Sequence, residues 1–266
     1  MFDRYNRKIT YLRISVTDRC NLRCTYCMPA EGVKLLKHED ILSFDEIVDF
    51  TKVAVGLGIS KVRITGGEPL VRKGIVDLVR MLGDIKGIND LSMTTNGILL
   101  KQFAQPLFEA GIKRINVSLD TLNPEKFKEI TRVGNIDDVL SGIFEAKKIG
   151  YDPIKINCVV NKTSNEPDAI EVRKFAAENG LYVRFIPMMD LDNGTHGIVE
   201  GGDGGNCAAC NRLRLTANGI VNPCLFNEIG FSVRELGAEQ AILKAVDTKP
   251  RCGTFNKKGE FYNLGG

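Results

Sequence analysis

The chain has 266 residues, of which 43% are hydrophobic and 26% charged, and its formal net charge is +3 at pH 7. This composition excludes disordered, collagen-like and coiled-coil proteins, and the small net charge gives no electrostatic reason to expect nucleic-acid binding. No run approaches the ~20 apolar residues that a membrane-spanning helix needs. The first residues, MFDRYNRKITYLRIS, lack the apolar core of a secretion signal. We therefore expect a globular cytoplasmic protein with one large domain and at most a smaller appendage.

β-Branched runs alternate with amphipathic stretches through the first part of the chain. We predict strands at 11–16, 61–65, 91–95, 114–119, 154–160 and 182–187, and helices at 43–55, 73–85, 101–109, 136–149 and 166–178. Ser43 and Glu46 have the spacing of a capping box at the start of the first helix. This alternation predicts a parallel sheet with right-handed crossovers, either an open doubly wound sheet or an incomplete barrel.

A polar, glycine-rich stretch from Asp190 to Asn206 ends the alternation. We place a boundary here, with one region over 1–190 and a smaller C-terminal region over 191–266. The smaller region is predicted to contain a β-hairpin, with strands at 212–216 and 220–223, and one helix near 239–246.

Eight cysteines in a reducing compartment indicate metal or redox chemistry rather than disulfides. Six of them form two groups of three, which are Cys20, Cys24 and Cys27, and Cys207, Cys210 and Cys224. The first group has the spacing C-x3-C-x2-C, and three thiolates can bind three irons of a cubane and leave the fourth iron open to a small chelating ligand. The alternative at the first group is a zinc ion that also uses Cys158 or a distant histidine. At the second group it is a zinc ion completed by Cys252.

The segment SVTDRCNLRCTYCMP resembles the radical S-adenosylmethionine (SAM) superfamily, and most closely the GTP 3′,8-cyclases of molybdenum cofactor biosynthesis. The resemblance continues through KVRITGGEPLVR, TTNG, INVSLD, IKIN, VRFIPMMD, CAACNRLRLTANG, NPCLF and the terminal Gly-Gly. It implies an α/β fold consisting of a partial (β/α)6 TIM-like barrel, the radical SAM core, with a small C-terminal auxiliary iron–sulfur domain. We expect every one of these motifs at the carboxyl ends of the strands, where barrels and open α/β sheets keep their sites.

The resemblance also implies the cofactors, which are two [4Fe–4S] clusters, one on each cysteine triad, and SAM. Its SAM contacts match Tyr26, Gly67, Glu68, Thr95, Ser118, Asn157 and Met189 in this sequence. In the run Gly66-Gly67-Glu68-Pro69, glycine is expected to let the backbone approach the ligand, and the acid to accept from its ammonium group. Taken singly, these residues are ordinary turn, cap or packing positions.

Seven basic residues resemble the family's contacts to the triphosphate and guanine of GTP, namely Arg13, Lys61, Arg63, Lys155, Arg184, Arg212 and Arg214. Charged residues that alternate in a strand usually mark a solvated face. Several of these, however, fall in strands expected to line a barrel interior, where an unpaired charge costs several kcal/mol. An anionic ligand would neutralise them. We assign a catalytic role to Arg13, Arg63, Arg212 and Arg214, and to Gly265 and Gly266, which the family places as a tail reaching the active site near Arg63.

The implied reaction converts GTP to (8S)-3′,8-cyclo-7,8-dihydroguanosine 5′-triphosphate, through a 5′-deoxyadenosyl radical that takes the hydrogen from C3′ of the ribose. One alternative is a radical SAM relative acting on a peptide or another nucleotide, and another is an iron–sulfur scaffold or electron carrier. We also expect an external electron donor of the flavodoxin or ferredoxin type, compatibility with a homodimer, and neither nucleic acid nor membrane as partner.

The chain departs from the family pattern in two places. Only the 17 residues of 190–206 separate the sixth predicted strand from the second triad, where the family has several tens more, and this difference leaves the peptide alternative open. Cys252 lies outside both triads and is interpreted as a bystander thiol. His38 and His196 lack metal-ligand spacing and are interpreted as surface residues.

Overall fold

Parallel strands and intervening helices form the first part of the fold. The computed structural model describes residues 1–257 and 261–264. In chain order the elements are β1 (Tyr11–Ser15), α1 (Phe44–Gly56), β2 (Lys61–Thr65), α2 (Ile75–Gly83), β3 (Asp90–Thr95), α3 (Leu100–Glu109), β4 (Arg114–Ser118), α4 (Pro124–Thr131), α5 (Ile136–Ile149), β5 (Ile154–Val160), α6 (Pro167–Glu178) and β6 (Tyr182–Pro187). Every strand and helix predicted here is present, and the sequence analysis missed α4.

The C-terminal part adds β7 (Arg212–Leu215), β8 (Ile220–Asn222), β9 (Phe231–Ser232), α7 (Val233–Leu236), α8 (Ala238–Asp247) and α9 (Phe261–Leu264). The predicted hairpin is confirmed as β7 and β8, which pair antiparallel, and the predicted helix is α8. The short elements β9, α7 and α9 were not predicted.

All of these strands belong to one sheet, in the order β6-β5-β4-β3-β2-β1-β7-β8-β9. From β1 to β6 each strand lies parallel to its predecessor in sequence. This winding is that of a barrel, whereas a doubly wound sheet reverses its strand order. Because β7 pairs in parallel with β1, the C-terminal region continues the same sheet. The boundary at 190–191 stays a prediction.

Alternation along the strands separates a helix-facing core from a polar interior. In β5, Ile154, Ile156 and Cys158 are buried, while Lys155 and Asn157 point to the opposite face and are half-buried. The first face joins the main hydrophobic cluster, which includes side chains of α1, α2, α3 and α5. Because the helices cover one face completely, the functional groups are confined to the other face and to the strand ends.

Local signals fix the first helix as predicted. The Ser43 hydroxyl accepts a hydrogen bond from the Glu46 backbone N–H, and the Glu46 carboxylate accepts one from the Ser43 N–H. None of the helices in the described residues is long and apolar enough to span a membrane.

Candidate active site

The first cysteine triad lies in a loop that follows the carboxyl end of β1. Its conformation is held by α4, since the backbone N–H groups of Arg23 and Thr25 donate to the carbonyls of Thr131 and Ile130, at 3.1 and 2.9 Å. The Arg132 guanidinium, just after α4, donates to the Arg23 carbonyl at 2.6 Å. The helix that sequence analysis missed is therefore the support of the cysteine loop.

Gly67 allows the cysteine loop to approach the end of β2 closely. Its N–H donates to the Thr17 carbonyl at 2.7 Å, and the Glu68 N–H donates to the Arg19 carbonyl at 2.8 Å. A Cβ atom on Gly67 would stand 2.4 Å from the Arg19 carbonyl oxygen, closer than any real contact. The close approach observed here is thus that of the protein's own backbone.

Glu68 is buried and hydrogen-bonded at the end of β2. Its carboxylate is 1% exposed and accepts from the Thr95 hydroxyl at 2.8 Å, the Asn96 N–H at 2.6 Å and the Leu70 N–H at 3.0 Å. Burial raises the pKa of Glu68 to about 7, although these hydrogen bonds oppose the shift. Glu68 and Thr95 together join the ends of β2 and β3 and hold the loops that follow them. The expected contact of Glu68 with the SAM ammonium group stays a prediction.

Tyr26, Ser118 and Asn157 come together near the ends of β4 and β5. The Tyr26 hydroxyl donates to one oxygen of Asp120 at 2.8 Å, and the other oxygen accepts from the Val159 N–H at 2.8 Å. Burial raises the pKa of Asp120 to about 6. Ser118 lies opposite Asn157 in the sheet, and the buried Asn157 amide oxygen has no hydrogen-bond partner among the described residues. An orphaned buried acceptor of this kind fits a donor on a bound ligand.

Two rows of mostly basic side chains cross the interior face of the sheet. In the first row Tyr11 lies between Lys61 and Arg212, and in the second row Arg13 lies between Arg63 and Arg214. All of these residues line one cavity together with Arg184, Asn157, Met189 and the second cysteine triad. Of the seven predicted GTP contacts, only Lys155 falls outside its described lining, with its ammonium over the Tyr182 ring at 5.8 Å.

The rows concentrate positive charge where water is scarce. Burial lowers the pKa of Arg13 well below its ordinary value, and the adjacent charge of Arg214 lowers it further. Burial likewise lowers the pKa of Arg63, and that of Arg214 to about 10. Asp203 is the one carboxylate in the described lining, since Asp90 sits outside it and pairs with Arg114 at 2.5 Å and Lys61 at 3.3 Å. The cavity therefore favours a polyanion.

Tyr11 is a cavity residue that the sequence analysis missed. Its hydroxyl is buried and has no hydrogen-bond partner in the described part of the chain, and the Lys61 and Arg63 cations lie 4.9 and 5.5 Å from its ring centre. Although burial opposes the change, these neighbouring cations lower the pKa of Tyr11. The period-two spacing of Tyr11 and Arg13 in β1 could have revealed it.

The second cysteine triad lies at the opposite end of the sheet from the first. Cys207 and Cys210 precede β7, which runs parallel to β1, and Cys224 follows the antiparallel β8. The expectation that all motifs gather at the carboxyl strand ends is therefore wrong for this triad and for the basic rows. A five-residue strand separates the two ends by roughly 17 Å. Although burial opposes it, the charges of Lys249 and Arg212 lower the pKa of Cys210 to about 7.

His196 and Cys252 lie beside Cys207. The interpretation of His196 as a surface residue is wrong, since it is half-buried, stacks on Phe226 and has its Nε2 3.6 Å from the Cys207 Sγ. The Cys252 Sγ is 2.8 Å from that same sulfur. Cys158 is fully buried and its thiol donates to the Asp120 carbonyl. Within residues 1–257 and 261–264 it joins no single-ion ligand group with the first triad.

The end of the described chain docks at the cavity. The Leu264 carbonyl accepts from the Arg214 guanidinium at 3.1 Å, and its side chain packs in a cluster with Leu191, Leu225 and Phe226, against which Met189 also lies. Gly265 and Gly266, predicted to reach the active site, lie outside the described residues.

Comparison with known proteins agrees with this geometry. The model of the radical SAM superfamily matches residues 14–176. The GTP 3′,8-cyclases of Thermodesulfovibrio yellowstonii and Moorella thermoacetica are 41% and 43% identical to this chain, over 94% and 92% of it and over 95% and 91% of those proteins. The first alignment extends over 305 positions, more than the 266 residues present, so this chain lacks several tens of residues that its relative has.

Solved structures share the fold at low identity. Streptococcus suis SuiB bound to S-adenosylmethionine has a TM-score of 0.66 and 19% identity, over 92% of this chain and 66% of that chain. Methylornithine synthase (PylB) has a TM-score of 0.59 and 14% identity, over 97% of this chain and 79% of that chain. These likenesses support the α/β architecture and the winding of the sheet described above.

Gly67→Ala tests the close approach of the cysteine loop to β2. We expect the added Cβ to displace the Arg19 carbonyl, since backbone cannot move aside as a flexible side chain can, and reconstituted protein to lose about half of its iron. Iron and sulfide analysis with electron paramagnetic resonance checks this. Gly56→Ala is the control, because nothing lies within 4 Å of its added Cβ. Normal iron content in Gly67→Ala would contradict the packing argument.

Proposed function

We propose that this chain, which belongs to the radical SAM superfamily and within it to the GTP 3′,8-cyclase family, converts GTP to (8S)-3′,8-cyclo-7,8-dihydroguanosine 5′-triphosphate in molybdenum cofactor biosynthesis. The observation that carries the proposal is the pair of basic rows in register across β1, β2 and β7. A triphosphate brings negative charge to this cluster of buried cations, and the nucleoside then lies between the two cysteine triads.

The donor sets fit the cofactors of the family. Cys20, Cys24 and Cys27 offer three half-buried thiols, and among the described residues no further ligand joins them in a single-ion group. This set suits a [4Fe–4S] cluster with an open iron for SAM. When bound there, the cluster and SAM supply the 5′-deoxyadenosyl radical that takes the C3′ hydrogen of GTP, so that C3′ bonds to C8 of guanine. We further propose a second [4Fe–4S] cluster on Cys207, Cys210 and Cys224, which line the same cavity as the basic rows.

The chain's own residues bind and orient the substrate. Arg13, Arg63 and Arg214 present guanidinium groups that bind phosphate oxygens in two-pronged fashion, and the adjacent rows hold the ribose at a fixed distance along the strands. Tyr26, Gly67, Glu68, Thr95, Ser118, Asn157 and Met189 are proposed as the SAM side of the site. Of these, Glu68 and Thr95 act by fixing the strand ends. The 190–206 connection and the C-terminal segment line the cavity and exclude water from it.

The proposal includes an external electron donor of the flavodoxin or ferredoxin type, because the reaction consumes two electrons. One electron cleaves SAM reductively, and the other, with a proton, completes the 7,8-dihydroguanine ring after C3′ has bonded to C8. A homodimer stays a prediction. GTP is the proposed substrate, and the cavity's arginines favour it over the peptide alternative, since they attract a triphosphate more strongly than a neutral peptide.

The decisive experiment is anaerobic incubation of reconstituted protein with SAM, dithionite and one of GTP, ATP or no nucleotide. We expect 5′-deoxyadenosine and a cyclised nucleotide with GTP only, measured by liquid chromatography and mass spectrometry. Cleavage of SAM without any dependence on GTP would overturn GTP as the substrate. Absence of cleavage in protein with full iron content would overturn the radical SAM reaction itself.

Tyr11→Phe tests the role of the Tyr11 hydroxyl, because we expect this change to increase the stability of the protein and to decrease its kcat/KM for GTP. The hydroxyl has no partner in the described protein, and an unsatisfied buried polar group costs about 1–3 kcal/mol, so its removal should raise the free energy of unfolding. Loss of its hydrogen bond to a charged ligand should lower kcat/KM for GTP about tenfold, or ~1.4 kcal/mol.

Tyr151→Phe is the matched control for this change. The Tyr151 hydroxyl donates to the Ala104 carbonyl at 2.8 Å, far from the cavity lining. This variant should lose stability by about 1 kcal/mol and keep its kcat/KM. Urea unfolding and steady-state kinetics check both variants. Equal loss of stability in the two would contradict the role assigned to Tyr11.

Deletion of Gly265 and Gly266 tests the tail. The truncation would leave a carboxylate on Leu264, whose carbonyl already contacts Arg214, and this charge would compete with phosphate. We expect intact clusters and SAM binding, and product formation reduced at least tenfold, about 1.4 kcal/mol of transition-state stabilisation. Gly266→Ala, which keeps the chain length, is the control. Unchanged product formation by the truncated protein would show that the tail has no role.

A further inference from the structure

Three metal-ligating side chains from separate segments converge at the amino end of β7. His196 belongs to the short 190–206 connection, Cys207 opens the second triad, and Cys252 follows α8. Their ligand atoms all lie within 4.8 Å of one another. Neither His196 nor Cys252 belongs to the cysteine triads, so the function proposed above leaves both unexplained.

Two of the three distances match those around a single tetrahedral ion. The His196 Nε2 is 3.6 Å from the Cys207 Sγ and 3.9 Å from the Cys252 Sγ. An ion with bonds of about 2.3 Å to sulfur and about 2.0 Å to nitrogen places those atoms ~3.6 Å apart. The two sulfurs, at 2.8 Å, must separate by about 1 Å to bind the same ion. Cys252 is exposed, so it can make that movement.

The imidazole of His196 is oriented for coordination. Its Nδ1 lies 3.1 Å from the Gly194 carbonyl. Because a carbonyl only accepts, Nδ1 carries the proton and Nε2 presents its lone pair to the sulfurs. The ring stacks on Phe226 with centroids 4.6 Å apart, which restrains its rotation. A second nitrogen hydrogen-bonded to a carbonyl is the usual arrangement of a histidine that binds metal.

Arg7 holds the two cysteine segments together. Its guanidinium donates to the Cys207 carbonyl at 2.7 Å, to the Arg251 carbonyl at 3.0 Å and to the Pro250 carbonyl at 2.7 Å. Asp3 pairs with it at 2.5 Å, and both side chains are buried. Hydrogen bonds from the amino-terminal segment therefore hold Cys207 and Cys252 next to each other.

We propose that His196, Cys207 and Cys252 form a site for one divalent cation of the zinc or ferrous type, with the fourth position left to water or another ligand. Nitrogen and sulfur donors select such ions over magnesium or calcium. Because the second cluster also requires Cys207, the single ion and that cluster exclude each other in one chain. This exclusion rests on the proposed function, whereas the ion site does not.

Cobalt(II) is the probe that tests the ion site, since its absorption reports thiolate ligands and tetrahedral geometry. The experiment uses reduced, cluster-free full-length protein in which Cys20, Cys24 and Cys27 are changed to Ser, so that the first triad cannot bind the probe. We expect one cobalt per chain. Adding His196→Asn or Cys252→Ser should weaken binding at least ~10-fold. Cys210→Ser and Cys224→Ser are the matched controls and should retain it.

The opposite pattern would overturn the proposal. If Cys210→Ser and Cys224→Ser abolish cobalt binding while Cys252→Ser and His196→Asn keep it, the ion sits on the triad. Absence of thiolate–cobalt absorption in the reduced parent protein would also overturn it. Circular dichroism of each variant verifies the fold.

A second measurement needs no substitution near the site. In the reduced wild-type chain without clusters, zinc should slow alkylation of Cys252 by iodoacetamide at least ~10-fold, as read by peptide mass spectrometry. Equal alkylation of Cys252 with and without zinc would contradict the site. Preloading with zinc should also halve the iron taken up on reconstitution, and Cys252→Ser should relieve this effect. If zinc leaves iron uptake unchanged, mutual exclusion fails although the ion site can stand.

Discussion

Repulsion between like charges inside the sheet is the constraint on which the rest of this structure depends. Arg13, Arg63 and Arg214 lie side by side on adjacent strands, and burial lowers the pKa of each guanidinium. The charge of Asp90 favours the cation of Arg63, and the Leu264 carbonyl accepts from Arg214. A row of this kind favours an anionic ligand, and phosphate groups match arginine in both charge and geometry.

The position of β1 in the sheet determines how the active site is arranged around these cations. It lies between β2 and β7 and carries the central residue of each row, while the first cysteine triad follows its carboxyl end. Parallel pairing with β7 places the second triad at its amino end. A ligand bound to the basic rows therefore has one cysteine triad on each side of it. The strand order, and not any single motif, separates the two cysteine triads.

Sequence predicted the elements well because their signals are local. The capping box of α1 and the alternating strands appear in the structure close to their expected bounds. The site was predicted less completely, since its missing parts arise from register and long-range contacts. Tyr11 became a cavity residue only through pairing with Lys61 and Arg212. The sequence around Arg7 does not indicate that its guanidinium donates hydrogen bonds to the carbonyls of residues 207, 250 and 251. The hydrogen bonds of Glu68 to Thr95 and Asn96 were not predicted, because these partners belong to β3 and the loop after it.

The C-terminal segment packs against the short 190–206 connection and helps to close the cavity. The Asn256 N–H donates to the Leu191 carbonyl at 2.8 Å, and a Cβ on Gly194 would overlap the Thr254 carbonyl oxygen at 1.5 Å, so the two segments pack backbone to backbone. The Thr254 N–H also donates to the Phe226 carbonyl at 3.0 Å, which ties this layer to the loop that follows Cys224. The same packing brings Cys252 and His196 to Cys207. In this chain, closure of this side of the cavity and the meeting of these three side chains are therefore consequences of the same contacts.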